Sequence, residues 1–381
     1  MNTTSTWFPT ALVLGTAFFA SIAACDGAAK DGPGEEGLVR EELGSFTTDT
    51  GGGADVPFEA PTDAYSALVT CGPYGYENLA TAETILDPAG GTIYDFNDDQ
   101  GTALRVPITD DLLPVLIPQS PDLDITPGLY TLRVYVDSSA AATTVSCSAL
   151  YRIQEPTADQ FVDIHFVFVG VDGEVAGLNG TEAVENTLLN DTLTRVGELW
   201  AGLGLSIGTI TYDDFSGDVE TYTSVDGAQE FGDLLRTNTS DDRVVTIFLV
   251  SAITDNDGAT ILGQAAGPPG APAVGGTSKS GAVVTVGYLA DGDTDTEARI
   301  IAHEVGHFMG LFHPTEKDGS GHDPLSDTPE CTSDADGNGV YATNECGGQG
   351  ADYLMWWAAS ETSTQTSGDE AWVVQRSALP Q

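Results

Sequence analysis

The chain has 381 residues, 41% of them hydrophobic, with 58 acidic side chains against 12 Lys and Arg and a formal net charge of −46. Such a surplus of acid repels phosphate backbones and anionic surfaces, which excludes a nucleic-acid role. The length suits two domains, and the charge fits either solubility in a salty medium or calcium held on clustered carboxylates.

Residues 7 to 24 are almost uninterrupted apolar and small residues, ending Ile22-Ala23-Ala24-Cys25. That length and small-residue end fit a signal peptide over residues 1–25 rather than a spanning helix. The end also resembles a bacterial lipobox, in which Cys25 would carry the lipid, although the segment before it has no Lys or Arg; an ordinary signal cut nearby is the alternative. The expectation is an exported chain, either a bacterial cell-envelope lipoprotein held to the membrane through Cys25 or a secreted protein. Residues 26–60 are rich in Gly, Asp, Glu, Thr and Pro with few apolar anchors, and read as a flexible acidic linker.

Residues 61–156 read as a small β-sandwich. Segments 92–96, 103–108 and 129–136 alternate apolar and polar residues between Asp-, Pro- and Gly-rich turns, and no long helix is legible. Cys71 and Cys147, near the ends of this region, fit a disulfide in an exported chain. The alternative is that Cys71, in Cys71-Gly72-Pro73, plugs a metal site as a latency switch.

From residue 157 to 381 strands and helices alternate. Strands are expected at 162–169, 205–212, 243–250 and 283–288, and helices at 182–203 and 227–236. Thr294-Asp295-Thr296-Glu297 fits a capping box that starts a further helix. On that helix lies His303-Glu304-Val305-Gly306-His307-Phe308-Met309-Gly310-Leu311-Phe312-His313. His303 and His307, four apart, leave one helix face and can share a metal ion. Gly310 lets the chain turn sharply and bring His313 back as a third nitrogen ligand. Three imidazoles with an open fourth position describe catalytic zinc. Glu304, beside the first ligand, has the place of a general base. A core helix that happens to carry histidines is the plain alternative, but three of only five His fall at this spacing.

The pattern H-E-x-x-H-x-x-G-x-x-H resembles the metzincin clan of zinc endopeptidases. The resemblance implies an α+β catalytic domain with a twisted mixed sheet, an active-site helix, a Met-turn and a C-terminal helix, acting on protein or peptide substrates. Asp352-Tyr353-Leu354-Met355-Trp356-Trp357 then supplies the Met-turn, with Met355 beneath the metal. The chain departs at Trp357, where several families of the clan have a Tyr. Asp323-Pro324-Leu325-Ser326-Asp327-Thr328-Pro329-Glu330-Cys331 is similar to the D-T-P segment of pappalysin-type members. Residues 262–270 resemble the substrate-binding edge strand of the clan and the loop after it, a Gly/Pro-rich surface loop being the alternative. His165 is expected in the core or at a strand edge, and His322 in a solvated loop, neither as a ligand.

Asp334-Ala335-Asp336-Gly337-Asn338-Gly339-Val340-Tyr341-Ala342-Thr343-Asn344-Glu345 matches the twelve-residue calcium loop. Asp334, Asp336 and Asn338 would give side-chain oxygens, Val340 a carbonyl and Glu345 a bidentate carboxylate. Cys331 and Cys346 bracket the loop and fit a second disulfide; an acidic turn stapled by that bond is the alternative. Ser367 to Glu370 offers a capping box for a closing helix. The function expected is an exported zinc endopeptidase, a catalytically weak, metal-stabilised surface-binding or adhesion protein being the other reading.

Overall fold

The computed structural model describes residues 37–72, 78–98, 103–137, 142–256 and 258–381. The signal segment and Cys25 lie outside the described residues. Two antiparallel sheets form the N-terminal body. Its strands are β1 (Leu38–Thr47), β2 (Gly53–Ala60), β3 (Ser66–Gly72), β4 (Leu79–Leu86), β5 (Thr92–Asp95), β6 (Thr109–Asp110), β7 (Leu113–Ile117), β8 (Gly128–Asp137) and β9 (Thr144–Arg152). One sheet has the order β1-β9-β3-β7, the other β2-β8-β4-β5 with β6 paired to β4.

Two expectations are corrected here. The stretch read as linker up to residue 60 holds β1 and β2, with β1 paired to β9 from Leu38↔Arg152 to Thr47↔Thr144. In β2, Ala54, Val56, Phe58 and Ala60 are buried while Asp55, Pro57 and Glu59 face solvent. Strict alternation made a strand there, but the polar half of the pattern looked like linker composition. Segment 103–108, expected as a strand, joins no ladder. Leu104 and Val106 are nevertheless buried between the sheets. The Arg105 amide donates to the Gln119 side chain (2.7 Å) instead of to a neighbouring strand, and Pro107 has no amide to offer.

Inward of its largely exposed edge strand β1, the first sheet is covered on both faces at β3 and β7. In β3, β7 and β9 alternate residues, Ala67 and Val69, Val115 and Ile117, Ala149 and Tyr151, fill the space between the two sheets. Their neighbours Leu68, Leu116 and Leu150 join the hydrophobic core of the C-terminal body. A period of two thus serves two cores at once. This is why both bodies belong to one unit, Gly34–Gln381. Cys71 and Cys147 face each other across β3 and β9 and are joined by a disulfide. With its sulfur buried and bonded, Cys71 is no metal plug.

The C-terminal body is built from β10 (Gln160–Phe168), α1 (Thr187–Ala201), β11 (Leu205–Asp214), α2 (Val219–Tyr222), β12 (Ser224–Asp226), α3 (Gly227–Arg236), β13 (Val244–Val250), β14 (Ala252–Thr254), β15 (Thr260–Ile261), β16 (Gly263–Ala265), β17 (Ala282–Thr285), α4 (Gly287–Ala290), α5 (Thr294–Phe308) and α6 (Gly368–Val374). The main sheet has the order β11-β10-β13-β17-β16; its first four strands are parallel and β16 is antiparallel to β17. Helix α1 starts later than its periodicity suggests, because the Asn186 side chain caps it by accepting from Leu189 N (3.0 Å). The strand expected to reach residue 288 ends at Thr285, and its last residues form α4 instead. The Ser367–Glu370 capping box forms as expected at α6. Among the described residues no helix is long and apolar enough to cross a membrane.

Candidate active site

Helix α5 is capped one residue earlier than the sequence suggests. Asp293 accepts from Thr296 N (3.0 Å), so Thr294 is the first helical residue and Asp295 and Glu297 lie in the first turn. Nearly every residue of α5 is buried, which holds the helix from all sides. Between the two helical histidines, Gly306 leaves room for the Met355 sulfur, which would stand 2.5 Å from a Cβ placed there. Met355 itself is fully buried beneath the helix. The helix stops at Gly310, whose φ of +108° suits only glycine. Gly310 N donates to His307 O (2.9 Å) and Leu311 N to Gly306 O (3.0 Å), and the turn they close returns His313 toward the helix.

The three imidazoles converge. His307 Nε2 lies 3.0 Å and His303 Nε2 3.3 Å from His313 Nε2. The other ring nitrogen of each meets an oxygen. His303 Nδ1 faces the Leu354 carbonyl (2.9 Å) and His307 Nδ1 the Leu311 carbonyl (2.7 Å). A carbonyl only accepts, so both Nδ1 atoms carry the hydrogen and both Nε2 atoms present bare lone pairs. His313 Nδ1 likewise faces the Glu316 carboxylate at 2.8 Å. With an oxygen at each Nδ1, the three Nε2 atoms turn toward one point, which a cation held between them would satisfy. Nitrogens bound tetrahedrally to zinc at about 2.0–2.1 Å stand roughly 3.3 Å apart, so the set fits that ion. Burial, and then the neighbouring His313, pushes His303 down to about 3. His307 lies well below the usual histidine range, through burial and then His303. Both are thereby held in the neutral, ligating form.

Glu304 is buried beside these histidines and faces β16. Burial pushes its carboxyl up to about 8, with the Ala265 backbone amide opposing. A higher pKa makes the ionised form of this group the stronger proton acceptor. Strand β16 is the end of its sheet, so residues 263–265 form an edge strand, and the Gly/Pro-rich residues 266–270 after it form a loop. That edge borders a cleft of about 690 Å³ walled by Gly263, Gln264, Glu304, Arg105, Lys317 and Trp357. Trp357 donates from its indole to Tyr341 O (2.9 Å) and packs under the Lys317 ammonium, which makes it cleft wall.

Asp323 is buried and takes hydrogen bonds from Thr328 Oγ1 (2.8 Å) and Leu325 N (3.1 Å), bracing the loop behind His313. Burial raises its carboxyl to about 7. Cys331 and Cys346 are disulfide-bonded. Inside that bond Asp334, Asp336 and Glu345 bring carboxylate oxygens within 4.8 Å of one another. Asp334 accepts from the Gly337 and Gly339 amides (both 2.8 Å), and Glu345 from Ala335 and Asp336 (both 3.1 Å). Asn338 donates to Asp336 (3.0 Å) and accepts from Val340 N (2.7 Å). His165 pairs with Asp213 on the neighbouring strand, and His322 faces the Pro314 carbonyl; neither joins the cluster. Sequence reasoning missed Glu316 and Arg105. The first lies one helical turn's spacing after His313, a legible signal; the second lies in the other body and gave none.

Residues 185–367 match the family model of metallo-peptidase family M12. This stretch, similar to zinc-dependent peptidases, holds all three histidines, Glu304 and Met355. No curated protein matches the sequence. Among solved structures, metalloproteinase-II from Bacteroides fragilis is 15% identical, covering 60% of this chain and 61% of that one, with a TM-score of 0.31. The chain thus spans about three fifths of the length of that structure. The structure of Triatoma Virus is 14% identical over 38% of this chain and 76% of that one, with a TM-score of 0.22. At such scores neither bears on the fold.

Proposed function

We propose that the protein is an exported zinc endopeptidase of metzincin type, nearest to the pappalysin-like members, with a β-sandwich ahead of the catalytic domain. The observation that carries this reading is the convergence of three imidazole nitrogens beside a buried carboxyl group at the open edge of a sheet. His303, His307 and His313 would hold the zinc, which when bound supplies a Lewis acid and an acidified water. The β16 edge offers main-chain donors and acceptors to an extended peptide, setting its scissile bond along the cleft. Glu304 takes the proton of the attacking water on a carboxylate oxygen and returns it to the leaving amine. Met355 and the Leu354 carbonyl fix the floor, the latter by orienting His303. Asp334, Asp336, Asn338, Val340 and Glu345 would bind calcium and stiffen the loop that precedes Met355. Export and a lipid on Cys25 rest on the N-terminal sequence.

The test is metal analysis together with proteomic cleavage profiling on purified protein. We expect about one zinc per chain, cleavage that a chelator abolishes, and loss of both metal and activity in His307→Ala. Glu304→Ala should keep its zinc and lose turnover by several orders of magnitude. Undiminished zinc in His307→Ala would refute the ligand set. Full activity in Glu304→Ala would refute the mechanism.

A further inference from the structure

We infer that the N-terminal two-sheet body completes the metal site, with Arg105 as a positioning residue that holds the third ligand, His313, through Glu316. The inference rests on the zinc reading above and deepens it. The helical ligands His303 and His307 are oriented by backbone carbonyls of their own body. His313 stands on the loop beyond the helix, and a side chain, Glu316, orients it. A carboxylate on a rotatable stem orients an imidazole well only if its second oxygen is also held. That oxygen, Glu316 Oε1, is 3.0 Å from Arg105 Nη2, with both side chains about three quarters buried.

Arg105 is in turn fixed by its own body and by the loop. Its neighbours Leu104 and Val106 are buried between the two sheets, and its amide is held by Gln119. Its Nη1 donates to the His322 carbonyl (3.2 Å), and its guanidinium lies 4.9 Å from the centre of the Phe312 ring. A planar fork with several donors suits this task, since it grips the carboxylate and the carbonyl together. A second contact supports the same loop. Leu116 of β7 fills the space where Gly310 would carry a Cβ, 2.7 Å from that position. The N-terminal body therefore holds the segment carrying His313 at both ends, at Gly310 and at Glu316.

The experiment is zinc affinity of the metal-free full-length chain, measured by competition with a chromophoric chelator. Loss of an outer partner of a ligating histidine weakens metal binding about 10- to 100-fold, and we expect that for Arg105→Ala and for Glu316→Gln. Adding Arg105→Ala to Glu316→Gln should bring little further loss, because both cut one link. Arg105→Lys, which keeps the charge but cannot reach Glu316 and His322 together, should fall between. Arg133→Ala breaks a comparable ion-pair cluster with Asp49, Asp55 and Glu83 on the other sheet and should leave affinity unchanged. Wild-type affinity in folded Arg105→Ala overturns the inference. So does loss confined to Arg105 variants while Glu316→Gln binds normally, since that pattern reports damage to the fold. If wild type itself binds no zinc, the metal reading fails and this inference falls with it.

Discussion

Gly310→Ala probes whether the turn behind the active-site helix is reserved by backbone angle, by the neighbouring body, or by both. A residue with a Cβ at φ +108° carries a backbone cost of about 1–3 kcal/mol. The new methyl would also meet Leu116 Cδ2 at 2.7 Å, and overpacking of that kind costs about 1–3 kcal/mol more. The expected loss is therefore about 2–6 kcal/mol, with weaker zinc retention because His313 hangs from this turn. Leu116→Ala alone opens a cavity and should cost about 2–5 kcal/mol. In that background the crowding vanishes, and Gly310→Ala should cost only the backbone share, about 1–3 kcal/mol. Urea unfolding of the wild type, both single variants and the double variant, followed by tryptophan fluorescence, closes the cycle. A coupling of about 1–3 kcal/mol is expected. Strict additivity would show that Leu116 does not reserve the turn, and a harmless Gly310→Ala would refute the reasoning entirely.

Three further outcomes are expected. Burial raises the Glu370 carboxyl from 4.5 to about 8. Its folded pKa is above its unfolded one, so the native state binds the extra proton and stability falls as pH climbs from about 4.5 to about 8. Glu370→Gln should remove a share of that decline worth several kcal/mol, read from urea midpoints at pH 5 and pH 8; an unchanged difference between the two would contradict the burial argument. Replacing Cys331 and Cys346 by Ser opens a loop with a sequence separation of 15, which should cost about 3 kcal/mol and lower the melting temperature by several degrees in calorimetry. An unaltered melt would mean the bond is not constraining the unfolded chain. Calcium should raise the melting temperature of wild type and not of Glu345→Gln, with zinc near one per chain in both; identical melts at every calcium concentration would leave the loop as an acidic turn.

The three converging histidines, the adjacent Glu304 and the turn at Gly310 were legible in the sequence because helical periodicity and glycine stereochemistry act over a few residues. For the same reason the alternation of β8, the amphipathic face of α1 and the capping box at Ser367 could be read directly. Local pattern also has limits, visible at β2, whose polar alternate residues imitated a linker, and at Arg105, whose segment alternates like a strand yet pairs with none. Tertiary structure alone decided that β3, β7 and β9 serve two cores, since alternation shows which residues share a face but not what that face meets. It alone decided the partners of the ligands: the Leu354 and Leu311 carbonyls, Glu316, and behind Glu316 an arginine from the other body. Gly306 belongs with these, because only the packed position of Met355 shows why no side chain fits there. Spacing along the chain could place three imidazoles on one point. Which proton each one keeps depends on atoms that only folding brings alongside.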